Sequence, residues 1–213
     1  MPQKEGGVQR PEPGMKGCRD ECAKRGVPRS RRAVQNGGMI SDPVPTEVQP
    51  FRVCFVCAGN ICRSPMAEVV FQSMVRQAGL TQYVETLSAG TGDWHVGEQA
   101  DSRTLTALAR NGYNGANHRA KQFNPEWFSS LDLVVALDRG HDRILRAWAP
   151  SETDRGKVAL LLSFDDDQSH LTDVPDPYYA GDEMFDRVLG MIERASRQLF
   201  RQLEPAIRQG AIR

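Results

Sequence analysis

From residue 51 onward, short apolar runs with strand character alternate with segments of helical period, and few architectures accept that alternation. Residues 51–57 form an apolar, β-rich run that reads as a buried strand. Residues 64–79 follow, with Met66, Val69, Val70, Met74 and Val75 on one helical face. Residues 83–88 read as a second strand. Residues 97–111 read as a helix, with Leu105, Leu108 and Ala109 apolar and Gly112 as its stop. Residues 131–137 give a third strand, 142–149 a helix and 157–162 a fourth strand. Residues 182–208 form a long terminal helix carrying Phe185, Val188, Leu189, Ile192, Leu199 and Leu203. Strands that are apolar on both sides and alternate with helices predict an α/β fold, a parallel sheet with helices on both faces.

Composition changes near residue 50. The first 50 residues hold 7 of the 13 prolines and 7 of the 19 glycines, carry a net charge of +3, and show neither strand nor helix period. Such a segment buries too little apolar surface to offset chain entropy. The chain is therefore read as a disordered tail, 1–50, ahead of one folded domain, 51–213. Met39 stands just before a short polar lead into the first strand, so a misplaced start is the other reading of the tail. Cys18 and Cys22 lie in the tail at C-x3-C spacing without the further ligands a zinc site needs. No metal is expected. The whole chain has 27 basic and 27 acidic residues, which argues against a dedicated nucleic-acid binder. No apolar run approaches the roughly 20 residues of a membrane span, so no membrane association is expected. Three of the five cysteines crowd into nine residues, which suits reactive or buried thiols in a reducing, cytoplasmic setting better than a disulfide framework.

The chemistry concentrates where the first strand meets the first helix, in Val56-Cys57-Ala58-Gly59-Asn60-Ile61-Cys62-Arg63-Ser64-Pro65. Ligands of open α/β sheets bind outside the carboxyl ends of the strands. A six-residue wrap from Cys57 to Arg63 can turn its N–H groups inward and make an anion nest at a helix N-terminus. Ala58, Gly59, Asn60, Ile61, Cys62 and Ser64 are the candidate phosphate-binding positions. Gly59 and Asn60 suit a left-handed backbone. Ser64 reads as the helix N-cap and Pro65 as its first residue, with Glu68 one position too late for a capping box; the Ser64 hydroxyl can also donate to a Cys57 thiolate and later to the leaving sulfur. Inward dipoles and Arg63 favour a thiolate at Cys57, a nucleophile for phosphorus. Arg63 can grip two phosphate oxygens and keep its charge.

This segment resembles the signature loop of the low-molecular-weight protein tyrosine phosphatases. Further matches lie at Ser88-Ala89-Gly90-Thr91 with Trp94-His95, at His118-Arg119-Ala120 and at Asp176-Pro177-Tyr178-Tyr179, and the likeness runs from about Val53 to about Phe200. The resemblance implies a four-stranded parallel sheet of flavodoxin-like, phosphotyrosine phosphatase I type. It implies a phosphocysteine intermediate, no metal and no cofactor. It assigns Cys57 as nucleophile, Arg63 as phosphate clamp and Asp176 as general acid and base. Asp176 is one of five aspartates, with Asp165, Asp166, Asp167 and Asp173, in a long connection over 163–181. Trp94, Tyr178 and Tyr179 are candidates for the walls of a slot that takes a phenyl ring; packing in the core is the other reading of Trp94. His95 is placed at the rim. By resemblance, Ser88 and His118 hydrogen-bond Asn60 and brace the loop. Cys62 either captures an oxidised Cys57 or packs at the loop base. Cys54 reads as a small buried hydrophobe, and Arg103, Asp132 and Asp138 as structural. Family members often carry Ala-Arg where this chain has Ala120-Lys121, with a surface consequence expected.

The expected partners are phosphotyrosine-containing proteins, the expected state a monomer. Three other functions compete. Thioredoxin-linked arsenate reductases share the loop but need later cysteines, and none follows Cys62. Protein arginine phosphatases tend to carry Thr where Ile61 stands. A non-catalytic phosphate-binding module would not need Cys57, Arg63 and Asp176 together.

Overall fold

The computed structural model describes residues 49–165 and 171–210. Strand β1 (Phe51–Cys57) runs between β2 (Val84–Gly90) and β3 (Leu133–Ala136), and β4 (Val158–Leu160) closes the order β2-β1-β3-β4. All pairings are parallel, with Cys57 opposite Gly90 and Val56 opposite Ala136. The helices are α1 (Arg63–Gln77), α2 (Ser102–Arg110), α3 (Arg139–Trp148), α4 (Glu152–Gly156) and α5 (Asp182–Arg208).

The period of two in β1 sends its side chains into two separate cores. Val53, Phe55 and Cys57 join Met66, Val70, Phe71, Leu189 and Ile192 of α1 and α5. Cys54 and Val56 join Phe128, Val134 and Leu145 on the opposite face. A strand buried on both faces has no polar side to show, which is why its sequence reads as an unbroken apolar run.

Several boundaries differ from the sequence reading. The helix predicted over 97–111 begins only at Ser102, because the Asp101 carboxylate accepts from Arg103 N and caps it there. The third strand is trimmed to Leu133–Ala136, and the fourth ends at Leu160. Leu161 and Leu162 turn into a short 3-10 segment and are buried in the core shared with α5. α4 and the 3-10 turn Pro125–Ser129 have no counterpart in the sequence reading. Both carry start signals in side chains, Ser151 and Asn124, but are too short to show a period. The readings of the tail, of Cys18, Cys22 and Met39, and of Asp166 and Asp167 fall outside the described residues.

Candidate active site

The turn from β1 into α1 wraps around Cys57. Among the described residues, the backbone N–H groups of Ala58, Gly59, Asn60, Ile61 and Cys62 find no protein acceptor. That leaves a run of unpaired donors at a helix start, the arrangement that holds an oxyanion. Cys57 is buried, its Sγ 3.0 Å from Ser64 Oγ. Ser64 is not the N-cap. α1 begins at Arg63, one residue earlier, and the cap position is Cys62, without a side-chain capping bond. The Ser64 hydroxyl instead faces Cys57 Sγ. It accepts from Asn60 Nδ2 (2.8 Å), and its one hydrogen has two possible acceptors, Cys57 Sγ and Ala89 O (3.2 Å). A thiol would donate to Ser64 and leave that hydrogen to Ala89; a thiolate would take it.

Within this loop the left-handed backbone falls on Asn60, at φ +57°, and not on Gly59. An L-residue pays about 1–2 kcal/mol for that conformation, and four contacts hold it. Asn60 Nδ2 donates to Ser64 Oγ and to Ser88 Oγ (2.9 Å), Asn60 Oδ1 accepts from Lys121 N (2.9 Å), and Asn60 O lies 2.7 Å from His118 Nε2. Ser88 and His118 thus meet Asn60 as the resemblance implied. The Lys121 contact is through backbone, so exchange with arginine leaves it alone. Gly59 has a steric reason: a Cβ there would stand 2.8 Å from His95 Cδ2. Gly90 has a stronger one, since its Cβ would stand 2.6 Å from the Ala58 carbonyl oxygen, which is backbone. Gly90→Ala should destabilise the protein by about 1–3 kcal/mol and displace the loop. Denaturant unfolding beside kcat/KM checks both; an unchanged unfolding midpoint would refute the close approach.

Glu68 links the bracing residues behind the loop. Ser88 Oγ donates to its Oε2, and His118 Nδ1 lies 3.5 Å away. Burial by itself would raise the Glu68 carboxyl, but hydrogen bonds from His118 and Ser88 and the charges of His118 and Lys121 hold it below the usual range. A carboxyl lowered on folding contributes stability that is complete above its unfolded value, about 4.3, and is lost as pH falls through the lower folded value. Glu68→Gln should therefore lower Tm at pH 7, by an amount that shrinks as pH drops below 4. A Tm deficit constant across that window would show that the charge plays no part.

Arg63 is buried and its donors are divided. NH1 donates to Asp138 Oδ2 (2.8 Å) and Val174 O (3.1 Å), NH2 donates to Asp176 Oδ2 (2.8 Å), and Nε has no protein partner. Asp138 is thus more than a structural residue. It caps α3 through His141 N, lies 2.9 Å from His141 Nδ1 and fixes one side of the guanidinium. Burial opposes its ionisation, but His141 and Arg63 outweigh that and hold the carboxyl far below the usual range. Asp132 does keep a structural place, accepting Arg52 N between strands.

Cys57, Arg63 and Asp176 line one cavity of about 350 Å³ with Ala58, Gly59, Ile61, Cys62, Trp94, His95, Tyr178 and Tyr179. Trp94 is 63% exposed, so it stands at the mouth rather than in the core, and Tyr179 is 97% exposed. His95 bonds Glu98 at the rim. Of the other aspartates, Asp173 pairs with Arg139, while Asp165 is buried toward Arg194, away from this connection's surface. Burial pushes the Cys62 thiol up to about 12, so it is no ready thiolate, and raises Cys54 further. Among the described residues, no three His, Cys, Asp or Glu side chains converge on a metal position.

A family model described as low molecular weight phosphotyrosine protein phosphatase matches residues 52–209. The chain belongs to that family. The match starts in β1 and ends just past α5, so among the described residues of this low molecular weight phosphatase it spans β1 to α5. A Streptomyces coelicolor protein named low molecular weight protein-tyrosine-phosphatase is 58% identical over 150 residues, 70% of this chain and 91% of the relative. Low molecular weight protein-tyrosine phosphatase A of Mycobacterium tuberculosis H37Rv is 46% identical over 147 residues, 68% of this chain and 87% of that one. The solved structure of an Entamoeba histolytica protein tyrosine phosphatase, with Hepes in its active site, is 34% identical. It covers 73% of this chain and 98% of its own at a TM-score of 0.69. Among the described residues, no helix of this phosphatase is long and apolar enough to cross a membrane.

Proposed function

We propose that this chain hydrolyses phosphotyrosine in proteins through a phosphocysteine intermediate, with residues 51–213 as the catalytic domain of a cytoplasmic monomer. The observation that carries the reading is the buried Arg63. Asp138 and Val174 hold one side of its guanidinium, which leaves Nε, and NH2 shared with Asp176, beside a nucleophile ringed by unpaired amides. A phosphate dianion fits that donor set.

The steps follow from the atoms present. The phosphate takes Arg63 and the loop amides as donors and releases the Asp176 carboxyl to carry a proton. Cys57 Sγ attacks phosphorus, the bond from phosphorus to the phenolic oxygen breaks, and Asp176 delivers its proton to that oxygen. Asp176 then takes a proton from water as the water oxygen attacks phosphorus. The P–S bond breaks, phosphate leaves, and the Ser64 hydroxyl donates to the returning thiolate. Trp94, Tyr178 and Tyr179 offer flat apolar faces to the phenyl ring at the mouth. Ile61, in the cavity lining, leaves less room for a planar, charged guanidinium.

The test is hydrolysis of phosphotyrosine, phosphoserine and phosphoarginine peptides in the presence of a chelator. The phosphotyrosine peptide should be turned over much the fastest. Preference for phosphoarginine would replace the substrate assignment, and no hydrolysis of any of them would leave a phosphate-binding module.

A further inference from the structure

Asp176 lies on a stretch, 171–180, that has no helix or strand to hold it. Its carboxyl is placed by what grips the chain on either side. Upstream, Val174 N donates to Leu137 O (2.9 Å), and Arg139 pairs with Asp173. Downstream, Arg103 reaches across from α2: NH2 donates to Tyr178 O and NH1 to Ala180 O, each at 3.0 Å.

Arg103 is itself fixed. Its Nε and NH2 donate to the two Asp101 carboxylate oxygens at 3.0 and 2.8 Å, and its guanidinium lies 4.5 Å from the centre of the Phe185 ring in α5. Asp101 N in turn donates to Ile61 O (2.9 Å) in the loop that carries the nucleophile. An unbroken series of contacts therefore runs from Ile61 through Asp101 and Arg103 to the carbonyls of Tyr178 and Ala180.

We propose that Arg103 is a positioning residue that sets the reach of Asp176 toward the leaving oxygen, by tying the acid's segment to the nucleophile's loop. The proposal rests on the acid role given to Asp176 above. A planar fork can serve a carboxylate and two carbonyls at once, which a lysine ammonium cannot do in this geometry. The site is partly open to solvent, the Arg103 side chain being 31% exposed. Water can take over the two carbonyls when Arg103 is removed, so the fold loses little. Proton transfer has no such substitute, because the donor must lie within hydrogen-bond reach of the oxygen.

The experiment is a series of aryl phosphates with leaving groups of rising pKa, read as kcat/KM, which covers cleavage of the bond to the leaving group. Wild type, R103Q, D176N and R103Q/D176N are compared, with melting curves for each. R103Q should lose about tenfold or more on the poorest leaving group, a part of the 10²–10⁴ that general acid catalysis supplies, and little on the best. In the D176N background R103Q should change nothing further. If R103Q does not fold, R103K is read in its place, since it keeps the charge over Phe185 but not the fork. Equal loss across the series, or loss additive with D176N, would overturn the proposal alone. A D176N series as flat as wild type would overturn the acid assignment and this proposal with it.

Discussion

Cys57→Ser is expected to lower kcat by at least about four orders of magnitude, the scale seen when a covalent nucleophile is removed. A serine hydroxyl is not ionised at neutral pH, and Ser64 is placed to hydrogen-bond whatever stands there, not to deprotonate it. Little else should change. The buried position takes a slightly smaller atom, and the unpaired loop amides and Arg63 Nε are untouched. The variant should therefore still bind inorganic phosphate, and a ligand that binds only the folded state raises Tm with concentration. Steady-state turnover of an aryl phosphate and melting curves against phosphate measure the two halves. Substantial activity in the purified variant would remove Cys57 from the mechanism. Lost turnover together with lost phosphate binding would mean that the substitution damaged the loop.

Asp176→Asn should reduce kcat/KM by about 10²–10⁴ for aryl phosphates with poor leaving groups, the range general acid catalysis supplies, and much less for good ones. An amide keeps the shape and can still accept from Tyr178 N, which now meets Oδ1 at 3.1 Å. It has no proton to give the departing oxygen. It also removes the charge that holds Arg63 NH2, so phosphate should bind no more weakly and its competitive inhibition should not fall. Weaker phosphate inhibition, or one loss shared by every leaving group, would argue that Asp176 acts by holding Arg63 rather than by carrying a proton.

The elements legible in the sequence are those long enough to repeat. β1 and α5 have the predicted bounds, 51–57 and 182–208, because a doubly buried strand and a seven-turn amphipathic helix leave strong patterns. The contacts within the site were less legible. Ser64 reads both as a cap and as a hydroxyl partner of Cys57, and only the contact with Cys57 is present. Glu68 stands one position too late for a capping box, and nothing local in the sequence points to its partners Ser88 and His118. Arg63 meets Asp138 across 75 residues and Asp176 across 113, and no spacing rule reaches so far. Asp138 reads only as a structural residue, and its cap on α3 and its grip on Arg63 both come from the structure. Gly90 sits among family-like residues, but its need for a bare Cα arises from the neighbouring strand's exit at Ala58.

The left-handed turn at Asn60 has a consequence for how the enzyme comes into being. Its supports lie 4, 28, 58 and 61 residues away along the chain, at Ser64, Ser88, His118 and Lys121. Only the first is local. A chain that has formed α1 but not yet docked β2 and the 118–121 segment has only the Ser64 contact to offset the cost of that backbone, and its loop would relax to ordinary angles. In refolding, helical signal would then return before the power to cleave a phosphate ester. Cys57 would be in place early, and the cradle around it would close only once β2 and the 118–121 segment had docked.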